Sequence, residues 1–147
     1  MTGGRAGTGL APPPPNRGDV GTVLLVDDET LIRWALRERL EQDGYRVVEA
    51  ASGKTALAVL SESEPPIVVL LDMKLPDMSG LDVFNAIRRD WPRAVVILMT
   101  AYWASDVLEE VQRAGVRHVL SKPLKLDRVA ALVREGFDEA GAGLAKS

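Results

Sequence analysis

The stretch IVVLLDMKLPDMSG (67–80) decides how the rest of the chain folds. It opens with five consecutive apolar residues, which predict a strand buried on both faces. Asp72 follows this run directly, and a turn containing proline and glycine then precedes an amphipathic segment over residues 81–87. A buried strand, an acidic turn and a helix in this order are typical of one unit of a parallel α/β sheet.

The same unit recurs on both sides of this stretch. Short apolar runs predict further strands at Thr22–Val26 and at residues 45–49, 94–99 and 117–120. Apolar residues at helical spacing predict helices over residues 31–40, 53–60, 81–87, 105–114 and 126–137. Gly44 and Gly115 are expected to end the first and fourth of these helices. Five β–α units in succession predict one doubly wound α/β domain, with a parallel sheet covered by helices on both faces.

Both ends of the chain differ in composition from this core. Residues 1–19 are rich in glycine and proline and carry little apolar mass, which predicts a disordered tail. The domain is expected over residues 20–139, and residues 140–147, which are small and polar, are expected to form a flexible tail. Pro65 and Pro66 are expected to break the chain before the third strand.

The composition excludes several classes of function. The chain has 147 residues, 46% of them hydrophobic, which is enough for one core, and its net charge is only −3. This charge gives no reason to expect direct binding of nucleic acid. The absence of cysteine and the single histidine exclude thiolate and multi-histidine metal sites. No apolar run is long enough for a secretory signal or a bilayer span, so we expect a cytoplasmic protein without a membrane partner.

Polar residues follow four of the predicted strands at the point where each strand ends. They are Asp27, Asp28 and Glu29 after the first strand, Asp72 after the third, Thr100 after the fourth and Lys122 after the fifth. Any one of them has an ordinary explanation as a turn or helix-start residue. In an open α/β sheet, however, the carboxyl ends of the strands form the usual functional edge. The coincidence therefore predicts one site that combines carboxylates, a hydroxyl and an ammonium group.

Four motifs carry a resemblance to a known family: VLLVDDE (23–29), VVLLDMKLPDMSG (68–80), ILMTAY (97–102) and LSKPL (120–124). In order, spacing and strand placement, the chain resembles the receiver domain of two-component response regulators over roughly residues 22–137. The stretches LIRWALRERLEQDGYRVVEA and MTAY are most similar to receivers of ATPase-driven transcription activators. The resemblance implies a flavodoxin-like, five-stranded parallel sheet with the strand order 2-1-3-4-5.

The resemblance also implies a metal site made of oxygen ligands. Asp27 and Asp28 match the acidic pair of the family, with Asp28 expected to bind Mg²⁺ directly and Asp27 through water. Asp72 and the backbone carbonyl of Lys74 are the other expected ligands. Mn²⁺ is a plausible substitute, since both ions suit a site made of oxygen atoms.

The remaining roles concern phosphoryl transfer. Asp72 matches the phosphoacceptor, Thr100 the switch hydroxyl and Lys122 the lysine whose peptide bond to Pro123 is usually cis. The resemblance implies a regulatory domain, not an enzyme, which receives its phosphoryl group from a sensor histidine kinase. Such a domain assists its own phosphorylation and dephosphorylation. A homodimer through the fourth helix, fifth strand and fifth helix is left open.

One position departs from the family pattern. The aromatic residue that usually follows the movement of the switch hydroxyl is replaced here by Val119. Val119 cannot report the switch by ring rotation, so we hypothesise that Tyr102 or Trp103 carries part of the coupling.

Two other functions use related sites. A haloacid-dehalogenase-type phosphatase also has an aspartate at a strand end and Mg²⁺, but it requires a second aspartate two residues later, where this chain has Lys74. A flavodoxin-like carrier would need hydroxyls and amides after the first strand to hold a phosphate. Asp27, Asp28 and Glu29 would repel that phosphate.

Overall fold

A computed structural model describes residues 21–63, 67–101 and 105–146. The predicted N-terminal tail, the expected break at Pro65 and Pro66, and the hypothesis on Tyr102 and Trp103 lie outside these residues. Within the described part of the chain, no helix is both long enough and apolar enough to cross a membrane.

Strands and helices alternate along the described chain without exception. The strands are β1 (Thr22–Val26), β2 (Arg46–Ala50), β3 (Ile67–Asp72), β4 (Val95–Thr100) and β5 (His118–Ser121). The helices are α1 (Thr30–Gln42), α2 (Gly53–Leu60), α3 (Gly80–Asp90), α4 (Ser105–Ala114) and α5 (Leu126–Lys146). All the strands are parallel, in the order β2-β1-β3-β4-β5. The predicted fold and strand order are thus confirmed.

The burial of the strands explains why the sheet is parallel. Every residue of β3 and β4 is buried, because helices cover both faces of the sheet. Alternate residues of β1 enter different cores: Val23 and Leu25 pack with α1 and α5, whereas Leu24 and Val26 pack with α2, α3 and α4. The central strands are therefore held by packing on two sides, and their carboxyl ends form one well-defined edge.

The helix ends follow local backbone chemistry. Gly44 lies just after α1 and Gly115 just after α4, and both have positive φ angles, of 98° and 87°. This conformation is the usual helix stop at glycine, so the two predicted ends are confirmed. At the start of α1, Glu29 is the N-cap residue, and its side chain makes no capping hydrogen bond.

Two sequence predictions about helices are wrong. The helical spacing of apolar residues over 31–40 includes Leu31 and Trp34 and predicts that they pack, yet they are 80% and 61% exposed. Leu36 and Leu40 of the same pattern fill the core. The last helix was expected to end at Phe137 but continues to Lys146. Residues 140–146 are thus helical, and whether that segment is flexible stays a prediction.

The contrast between buried and exposed leucines gives a direct test of the core. Leu70, on β3, is 0% exposed, whereas Leu31, on α1, is 80% exposed. We expect Leu70→Ala to lower the free energy of unfolding by about 2–5 kcal/mol, because it leaves a cavity between helices and sheet. The same change at Leu31 should alter it by less than about 0.5 kcal/mol. Urea unfolding measures both, and equal losses would contradict the burial of β3.

Candidate functional site

The predicted site residues meet at the carboxyl edge of the sheet. Asp27 follows β1, and its backbone N–H donates to the carbonyl of Ala50 at the end of β2, at 3.1 Å. Asp72 and Thr100 are the last residues of β3 and β4. Lys122 follows β5, and its backbone N–H donates to the carbonyl of Thr100 at 2.8 Å. Main-chain hydrogen bonds of the sheet therefore place these groups side by side.

Three of these residues are buried despite being polar. Asp27 is 0% exposed, Thr100 1% and Asp72 6%, and they are the buried polar residues of the described chain. Asp28, next to them, is exposed. A buried charge is costly unless it is paired, so the two buried carboxylates need a nearby cation.

Lys122 supplies that cation. Its Nζ lies 3.1 Å from Asp27 Oδ2, 3.2 Å from Asp72 Oδ2 and 3.4 Å from Glu29 Oε1. Burial lowers the pKa of Lys122, but its hydrogen bond and attraction to Asp27 and its attraction to Asp72 outweigh this effect, and the net shift is upward. Lys122 is therefore held as an ammonium ion between the carboxylates.

One ammonium does not balance all these acids. Burial raises the pKa of Asp72, and the nearby negative charge of Asp27 raises it further. Lys122 and the backbone N–H of Lys74, which is 3.3 Å from Asp72 Oδ1, act in the opposite direction without cancelling the shift. Asp72 thus lies in excess negative charge, which a bound cation would relieve.

The arrangement of oxygen atoms fits such a cation. Asp27, Asp28 and Asp72 each offer a carboxylate oxygen, and these atoms all lie within 4.8 Å of one another. A donor set made only of oxygen atoms suits Mg²⁺ or Mn²⁺ better than softer metals. Lys74 lines the same cleft, so its position is compatible with the predicted carbonyl ligand.

The cleft above these residues is open to solvent. It has a volume of about 630 Å³, and among the residues that line it are Asp28, Asp72, Lys74, Thr100 and Lys122. Asp27 is fully buried and contributes through its contact with Lys122. The cleft, which Asp72 lines, has room for a small charged group.

Arg33 was missed by the sequence prediction, whereas Glu29, which the sequence placed at this edge, is a further acidic partner of Lys122. Arg33, on α1, donates from Nη1 to the backbone carbonyl of Asp27 at 2.6 Å and from Nε to Glu49 Oε1 at 2.8 Å. Glu49, at the end of β2, also pairs with Arg37. The sequence offered one signal for this contact. Glu29 and Arg33 are four residues apart, a spacing that places two side chains on the same face of a helix.

Another prediction on the site agrees with the structure. The peptide bond between Lys122 and Pro123 is cis, as the resemblance implied. Val119 is only half-buried and packs against the core on the side of α3 and α4.

Comparison with known proteins identifies the family. The sequence model of the response regulator receiver domain matches residues 23–134. The chain is 41% identical over 112 residues to the transcriptional regulatory protein KdpE of Mycobacterium tuberculosis, covering 76% of this chain and 49% of KdpE. It is 34% identical over 113 residues to sporulation initiation phosphotransferase F of Bacillus subtilis, covering 77% of this chain and 90% of that protein.

A solved structure gives the same result. The response regulator TrrA of Thermotoga maritima, crystallised in complex with Mg²⁺ and BeF, matches with a TM-score of 0.70 and 31% identity. The match covers 79% of this chain and 98% of TrrA. The chain therefore belongs to the response regulator receiver domain family, whose members regulate phosphorylation-based signalling. It spans about half the length of KdpE.

The contact between Arg33 and Glu49 predicts a dependence of stability on pH. Burial raises the pKa of Glu49, but hydrogen bonds from Arg33 and Arg37 outweigh it and hold that pKa below its usual value of 4.5. Because the pKa of Glu49 is lower in the folded state, the ionised carboxylate stabilises the fold at pH values above the ordinary pKa of 4.5. This stabilisation is lost as the pH falls through the folded-state pKa. Glu49→Gln should therefore lower the free energy of unfolding by about 1–2 kcal/mol at neutral pH.

This deficit should shrink as the pH falls below 4.5, because the Glu49 carboxylate is protonated first in the unfolded state and, at its lower pKa, then in the folded state. Urea unfolding between neutral and acidic pH measures it. Glu38→Gln, at an exposed position of α1, is the matched control and should show little deficit at any pH. A deficit for Glu49→Gln that stays constant into the acidic range would contradict the ion pair.

Proposed function

We propose that this domain is a signalling switch that accepts a phosphoryl group on Asp72 in a Mg²⁺-dependent reaction, with a sensor histidine kinase as donor. One observation carries the proposal. Asp72 lies at the floor of the cleft, 3.2 Å from the ammonium of Lys122, and its carboxylate groups with those of Asp27 and Asp28. Membership of the receiver family supports the same role.

The charges explain why these groups are needed together. Asp72 is an anionic nucleophile, and two unit charges about 4 Å apart repel by roughly 4 kcal/mol at an effective dielectric constant near 20. Bound Mg²⁺ would supply positive charge that offsets this repulsion and orients the phosphoryl oxygens. Asp27, Asp28, Asp72 and the carbonyl of Lys74 are the groups that would hold it.

Two side chains act on the phosphoryl group itself. Lys122 offers a point charge, already in place beside Asp72, to an oxygen of the incoming group. Thr100, at the end of the neighbouring strand, offers a rotatable hydroxyl donor. Once Asp72 carries a phosphoryl group, this hydroxyl gains a new acceptor, and its movement would draw in the segment before α4. With valine at 119, the coupling to Tyr102 or Trp103 stays a prediction.

Lys74 favours a regulatory role over a phosphatase. It stands two residues after Asp72, where a phosphatase of the haloacid-dehalogenase type needs an acid to protonate the leaving group. Lysine offers no carboxyl group for this role. A flavodoxin-like carrier is disfavoured as well, because Asp27, Asp28 and Glu29 after β1 would repel the phosphate of its cofactor.

The wider assignments are part of the same proposal. We place the domain at residues 20–139 and expect it in the cytoplasm, where a kinase would reach it. A homodimer would use the face formed by α4, β5 and α5. For comparison, the NtrC4 receiver domain was solved as a dimer in its beryllofluoride-activated form.

The first test concerns the acceptor. We expect the wild type to incorporate phosphate from a small phosphodonor in the presence of Mg²⁺, and Asp72→Asn to incorporate essentially none, because the amide is a poor nucleophile. Asp82→Asn, an exposed aspartate in the first turn of α3, is the matched control and should behave as the wild type. Intact-protein mass spectrometry measures the added phosphate. Equal uptake by Asp72→Asn would show that Asp72 is not the acceptor.

The same assay with a phosphorylated histidine kinase domain as donor tests the source of the group. Transfer to the wild type but not to Asp72→Asn is expected. If none of the histidine kinases tried transferred its phosphoryl group, while uptake from the small donor was normal, the result would count against a histidine kinase as the donor.

The second test concerns the metal. Asp28→Ala should weaken Mg²⁺ binding by roughly tenfold or more and slow phosphorylation in parallel, because it removes the exposed member of the acidic cluster. Calorimetric titration measures the affinity. Loss of phosphorylation with an unchanged Mg²⁺ affinity would contradict the ligand assignment.

A further inference from the structure

Asp77 makes contacts that the proposed chemistry does not use. It is an exposed residue in the segment between β3 and α3, yet both of its carboxylate oxygens are bound to another element. Oδ1 accepts from the backbone N–H of Gly53 and Oδ2 from that of Lys54, each at 2.9 Å. These two amide hydrogen bonds lower the pKa of Asp77, so the carboxylate is charged at neutral pH. The loop after Asp72 is thereby fastened to the first turn of α2.

Helix α2 does not depend on this carboxylate alone. Its own N-cap, Ser52, accepts from the backbone N–H of Thr55 at 3.2 Å, which is the usual way to satisfy a first-turn amide. Asp77 satisfies the two amides that Ser52 does not reach. A helix can begin without a capping residue from a distant loop. The hydrogen bonds between Asp77 and α2 are therefore better explained as a restraint on the loop.

The loop is held at its base as well as at its tip. Lys74 and Ser79 form an isolated antiparallel bridge, and the backbone N–H of Gly80 donates to the carbonyl of Met73 at 2.7 Å. At the tip, Met78 packs so closely over Gly53 that a Cβ there would collide with the Met78 side chain. Asp77 and Met78 thus dock on the same turn of α2.

Lys74 is part of the bridge at the base of the loop and precedes the anchored tip by three residues in sequence. Its backbone N–H contacts Asp72 Oδ1 at 3.3 Å, and its carbonyl is a ligand in the proposed function. A carbonyl in a loop binds Mg²⁺ tightly only when the loop already holds it near the required position, since Mg²⁺ tolerates little distortion. The orientation of the Lys74 peptide is limited by the bridge on one side and by the anchored tip on the other.

We propose that Asp77 is a positioning residue, which prepares the loop of residues 73–79 for Mg²⁺ by anchoring it to the start of α2. The inference rests on the proposed function, because it concerns the metal site of that reaction. Asp77 acts through Lys74 and does not itself contact the metal or the phosphoryl group.

The test compares two variants that both remove a cap from α2. Asp77→Ala frees the loop, whereas Ser52→Ala removes a hydrogen bond of the same helix end and leaves the loop attached. We expect Asp77→Ala to raise the Mg²⁺ dissociation constant by roughly tenfold, as is usual for residues that orient a ligand. Ser52→Ala should change it by less than about twofold, because Ser52 does not orient a ligand. Asp77→Asn, which keeps one acceptor oxygen, should fall between the wild type and Asp77→Ala.

Hydrogen exchange gives a second readout that requires no metal. In the metal-free protein, the backbone amides of the loop (residues 74, 75 and 77–79) should exchange faster in Asp77→Ala than in the wild type or Ser52→Ala. Equal exchange and equal Mg²⁺ affinity in Asp77→Ala and the wild type would overturn the inference. An equal loss of affinity in Asp77→Ala and Ser52→Ala would also overturn it, since the effect would then come from α2.

Failure of the proposed function would look different from failure of this inference. If the wild type bound no Mg²⁺, or if Asp72→Asn took up phosphate normally, the proposed function would fall and the inference with it. If Asp77→Ala bound Mg²⁺ as tightly as the wild type, and the wild type was phosphorylated normally, only the role of Asp77 would be overturned.

Discussion

The contact of one ammonium group with buried carboxylates is the interaction on which the site depends. Asp27 and Asp72 are almost completely shielded from water, and each would be costly to bury as an unpaired anion. Lys122 contacts both, and it does so because its main chain continues the pairing of β5 with β4. The sheet therefore fixes the lysine, and its ammonium group offsets the cost of burying the two carboxylates. The excess of negative charge that remains is what prepares the site for a cation.

Around this centre, each acidic loop is tied to a neighbouring element. The loop after β1 is held by Arg33, which contacts the backbone carbonyl of Asp27 and is itself paired with Glu49. Glu49 also pairs with Arg37 on the surface of α1. The loop after β3 is held by Asp77 on α2. Both ties use side chains outside the cleft. The geometry of the site is therefore maintained by groups that do not line the cleft.

The sequence was informative where a pattern is local. Uninterrupted apolar runs predicted β3 and β4, and the polar residue after each run predicted the site, because the parallel sheet aligns strand ends. The exposure of Trp34 was not predictable in this way, since α1 has more apolar residues than its core-facing stripe can bury. The end of α5 was misplaced because glycines after Phe137 have low helix propensity, yet the helix continues through them. Asp77 was missed because its partners lie 23 and 24 residues away, beyond any local pattern.

The separation of Asp27 and Lys122 along the chain has a consequence for folding. Their contact joins residues 95 positions apart, between the ends of β1, an internal strand, and β5, at the edge of the sheet. Contacts of such long range close a large loop and form only when most of the chain is already ordered. A molecule that has not yet added β5 lacks the ammonium between its carboxylates. The pairing of β5 must therefore be complete before Lys122 offsets the burial of Asp27 and Asp72.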